Sequence, residues 1–177
     1  MKRLLAIAFL AAACGCARRS GEVVPFPFRF PEESDGCAAV YVRKLSERET
    51  ESIHVRINMM ELGQSLRPQL AGTGKPLSFH LSPTQNIASC WIDEFPFKPD
   101  GFRWGHFMPP TNLVDRWNAV SGIVTLQVSR HPEGVKKTGF LATVRLSDVA
   151  FQSSNTLNRT TLDSLSFTNV HVGWWSE

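Results

Sequence analysis

The stretch Glu51-Ser-Ile-His-Val-Arg-Ile-Asn-Met59 decides the fold class. Ile53, Val55, Ile57 and Met59 fall on one face, and His54, Arg56 and Asn58 on the other. A period of two with one apolar face marks a strand half-buried in an antiparallel sheet. The same period recurs along the chain. In Cys37–Leu45, Val40 and Val42 share a face, with Ala39 and Tyr41 opposite. Leu77, Phe79 and Leu81 alternate ahead of Ser82-Pro83, and Ile87–Trp91 forms a short strand carrying Cys90. Val124, Leu126 and Val128 alternate with Thr125, Gln127 and Ser129; Phe140, Ala142, Val144 and Leu146 do the same with their neighbours. Leu165 and Phe167 share a face, but Val170 and Val172 have the opposite parity, which a bulge near Asn169 reconciles.

Turn chemistry separates these runs. Ser46–Thr50 is a charged hairpin end, Arg67–Pro76 a loop rich in Gly and Pro, His131-Pro-Glu-Gly134 a turn and Gln152–Arg159 a polar loop. Met60–Leu66 has room for one helical turn. One short helix is expected near 112–120. Pro110 precedes it, Asn112 caps it with Asp115 three residues on, and Leu113, Val114, Trp117 and Val120 share a face before Ser121-Gly122. About seven short strands and one short helix predict a mainly β antiparallel sandwich, or a small barrel, as a single domain over 36–177.

The first sixteen residues have a different character. Lys2 and Arg3 precede ten apolar residues, Leu4–Ala13, followed by Cys14-Gly15-Cys16. This is the order of the charged, hydrophobic and cleavage regions of an export signal. As a helix the apolar run spans about 15 Å, half of a bilayer core, which is too short for a membrane span. The segment resembles a bacterial lipoprotein signal, in which a cysteine after small residues is lipidated and becomes the new N-terminus. The resemblance implies that Cys14, or alternatively Cys16, carries the lipid. Neither Gly15 nor Ala17 is the aspartate that retains such proteins in the inner membrane, which implies the outer membrane, facing the periplasm. Plain secretion as a soluble periplasmic protein is the alternative.

Residues 17–35 then read as a tether. Within it, Pro25-Phe-Pro-Phe-Arg-Phe-Pro31 is extended, because proline fixes φ and disfavours helix in the residue before it. Its three phenylalanines argue that it lies on the domain.

Composition excludes some functions. The chain has 19 basic and 16 acidic residues, and losing Lys2 and Arg3 with the signal leaves 17 against 16. No basic stripe suits nucleic acid. The cysteines beyond the signal are Cys37 and Cys90, with no C-x-x-C motif. In an oxidising compartment such a pair is expected to form a disulfide, worth about 4 kcal/mol for a loop of this length. A reactive thiol and two unpaired core cysteines are the competing readings.

Catalytic signals are sparse. The five histidines, His54, His80, His106, His131 and His171, show no H-x-H or H-E-x-x-H spacing, so no metal or other cofactor is expected. His54 on a polar strand face and His131 in a turn read as surface residues. Neither G-x-S-x-G nor a phosphate-binding glycine loop occurs. A Cys90–His80 nucleophile–base pair is conceivable, but a disulfide would remove the nucleophile.

The positive signal is aromatic. Phe95, Phe97, Phe102, Trp104 and Phe107 lie close together, with Arg103 and His106 among them. Aromatic rings beside arginine are the stuff of interface hot spots. The opposing reading makes these rings the core cap of one open end of the domain. Phe97, Phe102, Arg103, Trp104, His106, Phe107 and Trp175 are the candidate partner-binding residues; Trp175 enters because Trp174 and Trp175, if in a strand, point to opposite faces.

The sequence thus predicts an exported, lipid-anchored, non-enzymatic module that contacts a protein partner in the cell envelope. An immunity or inhibitor lipoprotein that neutralises a toxic enzyme, and an envelope enzyme with a dispersed site, are the alternatives.

Overall fold

A computed structural model describes residues 21–32, 34–37, 40–58, 75–85, 87–97, 112–130 and 140–172. Its strands are β1 (Asp35–Cys37), β2 (Val40–Leu45), β3 (Glu51–Ile57), β4 (Leu77–His80), β5 (Ala88–Glu94), β6 (Asp115–Arg130), β7 (Phe140–Ser153) and β8 (Arg159–Val172). All belong to one antiparallel sheet in the order β1-β2-β3-β5-β6-β7-β8, with β4 added beside β6. The sheet curls into a half-barrel. The expected mainly β, antiparallel architecture is therefore present, as one curled sheet. The expected signal segment with Cys14 and Cys16, the expected helical turn at 60–66, most of the loop read at 67–76, the turn read at 131–134 and Trp175 lie outside the described residues.

The concave face is the core. Val42, Ile53, Val55, Ile57, Ile92, Val124, Leu126, Val144, Leu146, Phe151 and Phe167 are fully buried there. The apolar face of Glu51–Ile57 turns inward as expected, with Val42, Val55 and Cys90 aligned across β2, β3 and β5, while Ser52 and His54 on the other face are buried as well.

The curl has identifiable corners. Inward parity changes along β7, from Ala142, Val144 and Leu146 to Val149 and Phe151, across Asp148 at φ 51°. The neighbouring strand bulges between Ala119 and Ile123, around Gly122 at φ 132°. A Cβ on Gly122 would stand 2.8 Å from the Val149 Cα, so glycine here permits close approach of two backbones. Gly122 therefore bends a strand and does not stop a helix. The bulge read near Asn169 is present: Ala142 pairs Val170 and Val144 pairs Phe167, leaving an extra residue on β8, and Asn169 has φ 55°.

Two expectations of secondary structure are corrected. The helix near 112–120 is absent: β6 begins at Asp115, while Leu113 and Val114 are exposed. Helical spacing and a cap signal are local preferences, and pairing with β5 on one side and β7 on the other overrides them. The run Cys37–Leu45 is not one strand either. Asp35–Cys37 folds back on β2, with Gly36 opposite Val42 and Cys37 opposite Tyr41.

The open concave side is covered by residues 21–32. Val23 forms a parallel bridge with Arg159, Val24 N–H donates to the Arg159 carbonyl, and Arg159 N–H donates to that of Glu22. Phe26, Phe28 and Phe30 then pack onto the core. Phe28 lies edge-on to Trp117 at 6.0 Å, and Phe26 is 6.2 Å from Phe151. The strap reaches the 46–50 turn, where Glu47 N–H donates to the Arg29 carbonyl. Lys44 fastens its far side. Its ammonium donates to the carbonyls of Pro31 (2.7 Å) and Glu32 (2.9 Å) and stands 5.6 Å from the Phe167 ring centroid. Burial lowers the Lys44 pKa, and Glu32 opposes that shift.

Replacing a buried phenylalanine by alanine typically removes about 3 kcal/mol or more. Phe28→Ala is expected to lower stability by roughly that amount in urea unfolding. An unchanged midpoint would mean that the strap does not hold the fold.

Candidate functional site

The convex face of β2, β3, β5 and β6 carries a buried polar cluster. Two rungs run across these strands in register. One is Arg43, His54, Trp91 and Asn118; the other is Leu45, Ser52, Asp93 and Arg116. His54 stacks on Trp91 with centroids 5.0 Å apart and planes at 9°, and Tyr41 closes a three-ring cluster, 5.9 Å from His54 and 6.3 Å from Trp91. Arg116 holds Asp93 through two donors, Nε to Oδ1 at 2.6 Å and a terminal nitrogen to Oδ2 at 3.1 Å. Trp91 Nε1 donates to the same carboxylate at 3.1 Å, and the Arg116 guanidinium lies 5.8 Å from the Trp91 ring centroid.

His54 is thus not a surface residue: it is 4% exposed. Its polar strand face is covered by the stacked rings of the neighbouring strands. The imidazole Nδ1 bonds to the Tyr41 hydroxyl and Nε2 to Ser52 Oγ at 2.6 Å. Asp93 Oδ2 lies 3.5 Å from Nε2. Burial, with the charges of Arg43 and Arg116, pushes the His54 pKa down to about 3. The ring is neutral at ordinary pH, and each of its nitrogens has a partner.

Serine, histidine and aspartate so close together invite comparison with a hydrolytic triad. The geometry is different. A triad needs the nucleophile on one ring nitrogen and the orienting carboxylate on the other. Here Ser52 and Asp93 both approach Nε2, and Ser52 is fully buried. The cluster is a satisfied polar knot holding four strands in register.

A second polar group lies on the concave face, where β3, β5 and β6 meet. Glu51 pairs Glu94, and Glu94 pairs Asp115. Each carboxylate has a donor. Ser46 and Thr50 serve Glu51, Trp117 Nε1 donates to Glu94 at 2.6 Å, and Ser153 Oγ donates to Asp115 at 2.6 Å. Burial raises the Glu94 pKa; the Trp117 bond opposes this, and Asp115 and Glu51 add to it. No group of side chains suited to a metal ion occurs among the described residues.

A depression of about 610 Å³ lies between the Ser82–Gln85 turn and strands β5, β6 and β7. Asn118, Gln152, Ser89 and Ser154 line it, together with Trp91 and Leu157. Among the described residues its walls carry neutral amides and hydroxyls and no charged group or histidine. Such a wall can hydrogen-bond a ligand but offers no proton-transfer pair.

The cysteine expectation is corrected. Cys90 is a free thiol buried in the core. Cys37 is in β1 and Cys90 in β5, three strands apart in the sheet. At about 4.8 Å per strand that separation is about 14 Å, and a disulfide needs Cα atoms within about 7 Å. Burial raises the Cys90 pKa, so the thiol stays protonated. His80 is exposed on β4, so the pair Cys90–His80 joins an inward thiol to an outward ring and makes no nucleophile–base unit.

The aromatic stretch divides. Phe95 is buried and its N–H donates to the Thr50 carbonyl, while Phe97 is 56% exposed. Phe102, Arg103, Trp104, His106 and Phe107 lie outside the described residues. Sequence reasoning missed the His54 knot because its contacts depend on register: Trp91 and Asp93 become neighbours of His54 and Ser52 only once β3 pairs β5.

Comparison with protein-family models, curated proteins and solved structures returns no match for this chain.

The low His54 pKa has a consequence for stability. The unfolded chain takes up a proton near 6.5 and the folded chain only near 3. Between these values the unfolded state binds more protons, so stability falls as pH drops from about 6.5, by at most about 1.4 kcal/mol per pH unit. His54→Gln is expected to flatten this dependence in urea unfolding between pH 7 and about 4. A variant with the wild-type slope would show that other groups carry it.

Proposed function

We propose that this protein is an exported, lipid-anchored, non-enzymatic binding module that contacts a protein partner in the cell envelope. The observation that carries the reading is the leader, with Lys2 and Arg3, the apolar Leu4–Ala13 and then Cys14 and Cys16. The half-barrel supports the binding part. The polar groups of the His54 cluster are paired internally, the described lining of its depression is neutral, and Phe97 stands out in solvent beside a buried Phe95. An exposed aromatic ring next to a fixed backbone suits recognition, since little side-chain freedom is lost on binding.

Changing both Cys14 and Cys16 to Ser is expected to abolish palmitate incorporation and release the protein from the membrane fraction. Membrane retention without palmitate would place the tether elsewhere. Phe97→Ala is expected to reduce recovery of a cross-linked envelope protein while leaving the urea midpoint unchanged, because the ring lies largely outside the core. Equal recovery of that protein with wild type and variant would remove Phe97 from the interface.

A further inference from the structure

The 46–50 and 154–158 turns close the same end of the half-barrel, because β2 ends at Leu45, β3 begins at Glu51, β7 ends at Ser153 and β8 begins at Arg159. Glu94 at the end of β5 and Asp115 at the start of β6 stand there as well, paired with one another. Among the described residues, this turn end gathers the exposed apolar side chains. Among the described residues the exposed large hydrophobics are Val23 (72%), Phe97, Leu113, Val114 and Leu157. Val23 is bridged to Arg159, the first residue of β8. Leu113 and Val114 precede β6, and the Val114 carbonyl accepts from the Asn155 side chain at 2.7 Å. Phe97 follows β5, and Leu157 is in the 154–158 turn.

Leu157 is an unusual choice for its position. Its φ is 63°, a conformation for which glycine or asparagine is cheaper, and its side chain is left in water. Gly21 packs on its backbone so closely that an added Cβ would overlap the Leu157 carbonyl. The N-terminal strap therefore enters the fold beside this apolar set.

The point of entry supplies the occupant. Gly21 is five residues after Cys16 and seven after Cys14. Fully extended, these links reach at most about 18 Å and 25 Å. Strand β7, with 14 residues, runs to about 46 Å at 3.3 Å per residue. A lipid on either cysteine holds the turn end near the membrane and leaves the opposite end free to stand away from it.

We propose that the turn end is a membrane-docking surface. Val23, Leu113, Val114 and Leu157 rest on the bilayer interface beside the lipidated N-terminus, and Phe97, beyond the end of β5, is left to the protein partner. The proposal rests on the lipid-anchor reading above and adds an orientation to it. Docking is apolar and not polybasic: among the described residues, exposed Arg29, Arg48 and Arg159 at this end are matched by exposed Glu22, Glu32 and Glu47. Clustered apolar side chains of this kind mark interaction surfaces and strengthen the hold of an acyl anchor.

The test uses the full lipidated protein in vesicles of phosphatidylethanolamine and phosphatidylglycerol doped with a photoactivatable phospholipid. Cross-linked peptides are mapped by mass spectrometry, and the acylated N-terminal peptide is scored in the same digest. Lipid adducts are expected on peptides containing Val23, Leu113–Val114 and Leu157, with none on β4. The combined changes Leu113→Asp, Val114→Asp and Leu157→Asp should abolish the adducts at those positions while the acyl group remains, and high salt should leave the wild-type pattern intact. An acylated N-terminus with adducts spread evenly, or absent from the turn end, would overturn the orientation and leave the anchor standing. An N-terminus without acyl groups would overturn the anchor, and the orientation with it. In whole envelopes, a protein cross-linked across the turn end in place of lipid would show a protein partner there and also overturn the proposal.

Discussion

A single sheet that curls only half-way round must still cover its concave face. The whole structure depends on how this is done. Strands β2 to β8 turn their buried aliphatic and phenylalanine side chains to that face, and no second sheet packs on it among the described residues. The strap at 21–32 fills the place, with Phe26, Phe28 and Phe30 laid against Phe151 and Trp117. Proline at positions 25, 27 and 31 keeps the strap extended, so alternate residues project to the same side. The rings reach the core while Pro27 and Arg29 stay exposed. Lys44 belongs to the same device, its ammonium held by the strap carbonyls of Pro31 and Glu32.

The convex face solves a different problem. Strands β2, β3 and β5 there carry Arg43, Ser52, His54 and Asp93, all buried, and β6 adds the half-exposed Arg116. Buried polar groups destabilise a fold unless their hydrogen bonds are made. The stacked Tyr41, His54 and Trp91 rings and the paired Asp93–Arg116 ions satisfy them and fix the register of four strands. A slip of one residue would break these contacts and turn the apolar face outward. The knot therefore specifies the sheet as much as it stabilises it.

How much of this was legible in the sequence follows from the range of each interaction. Period-two alternation is local, so Ile53, Val55, Ile57, Val124, Leu126, Val144 and Leu146 announce their strands and their faces. The Asn169 bulge was readable because a parity change is visible in the chain itself. The segment at 112–120 misled because its helical spacing and cap are genuine local signals, which lose to ladders formed with distant strands. The same run also alternates, Trp117 inward and Asn118 outward, and that weaker signal was the correct one. The Cys37–Cys90 bond was inferred from compartment, which says nothing about strand order. His54 looked like a surface residue because burial on a polar face depends on the neighbouring strands. Of the candidate partner residues, Phe97 alone falls among the described ones, and its exposure separates it from Phe95.

The strap also sets the order in which the chain can mature. It is the first described segment, yet it bonds to residues near the other terminus: Glu22 N–H donates to Asn158 across 136 positions of sequence. Its rings have no finished core to cover until β7 and β8 exist. A chain that emerges N-terminus first must hold Phe26, Phe28 and Phe30 uncovered until its last hairpin arrives. Contacts so distant in sequence slow folding and lengthen the exposure of sticky intermediates. Completion of this half-barrel is thus a terminal event, and a chain truncated before Phe151 and Arg159 leaves the strap without a seat.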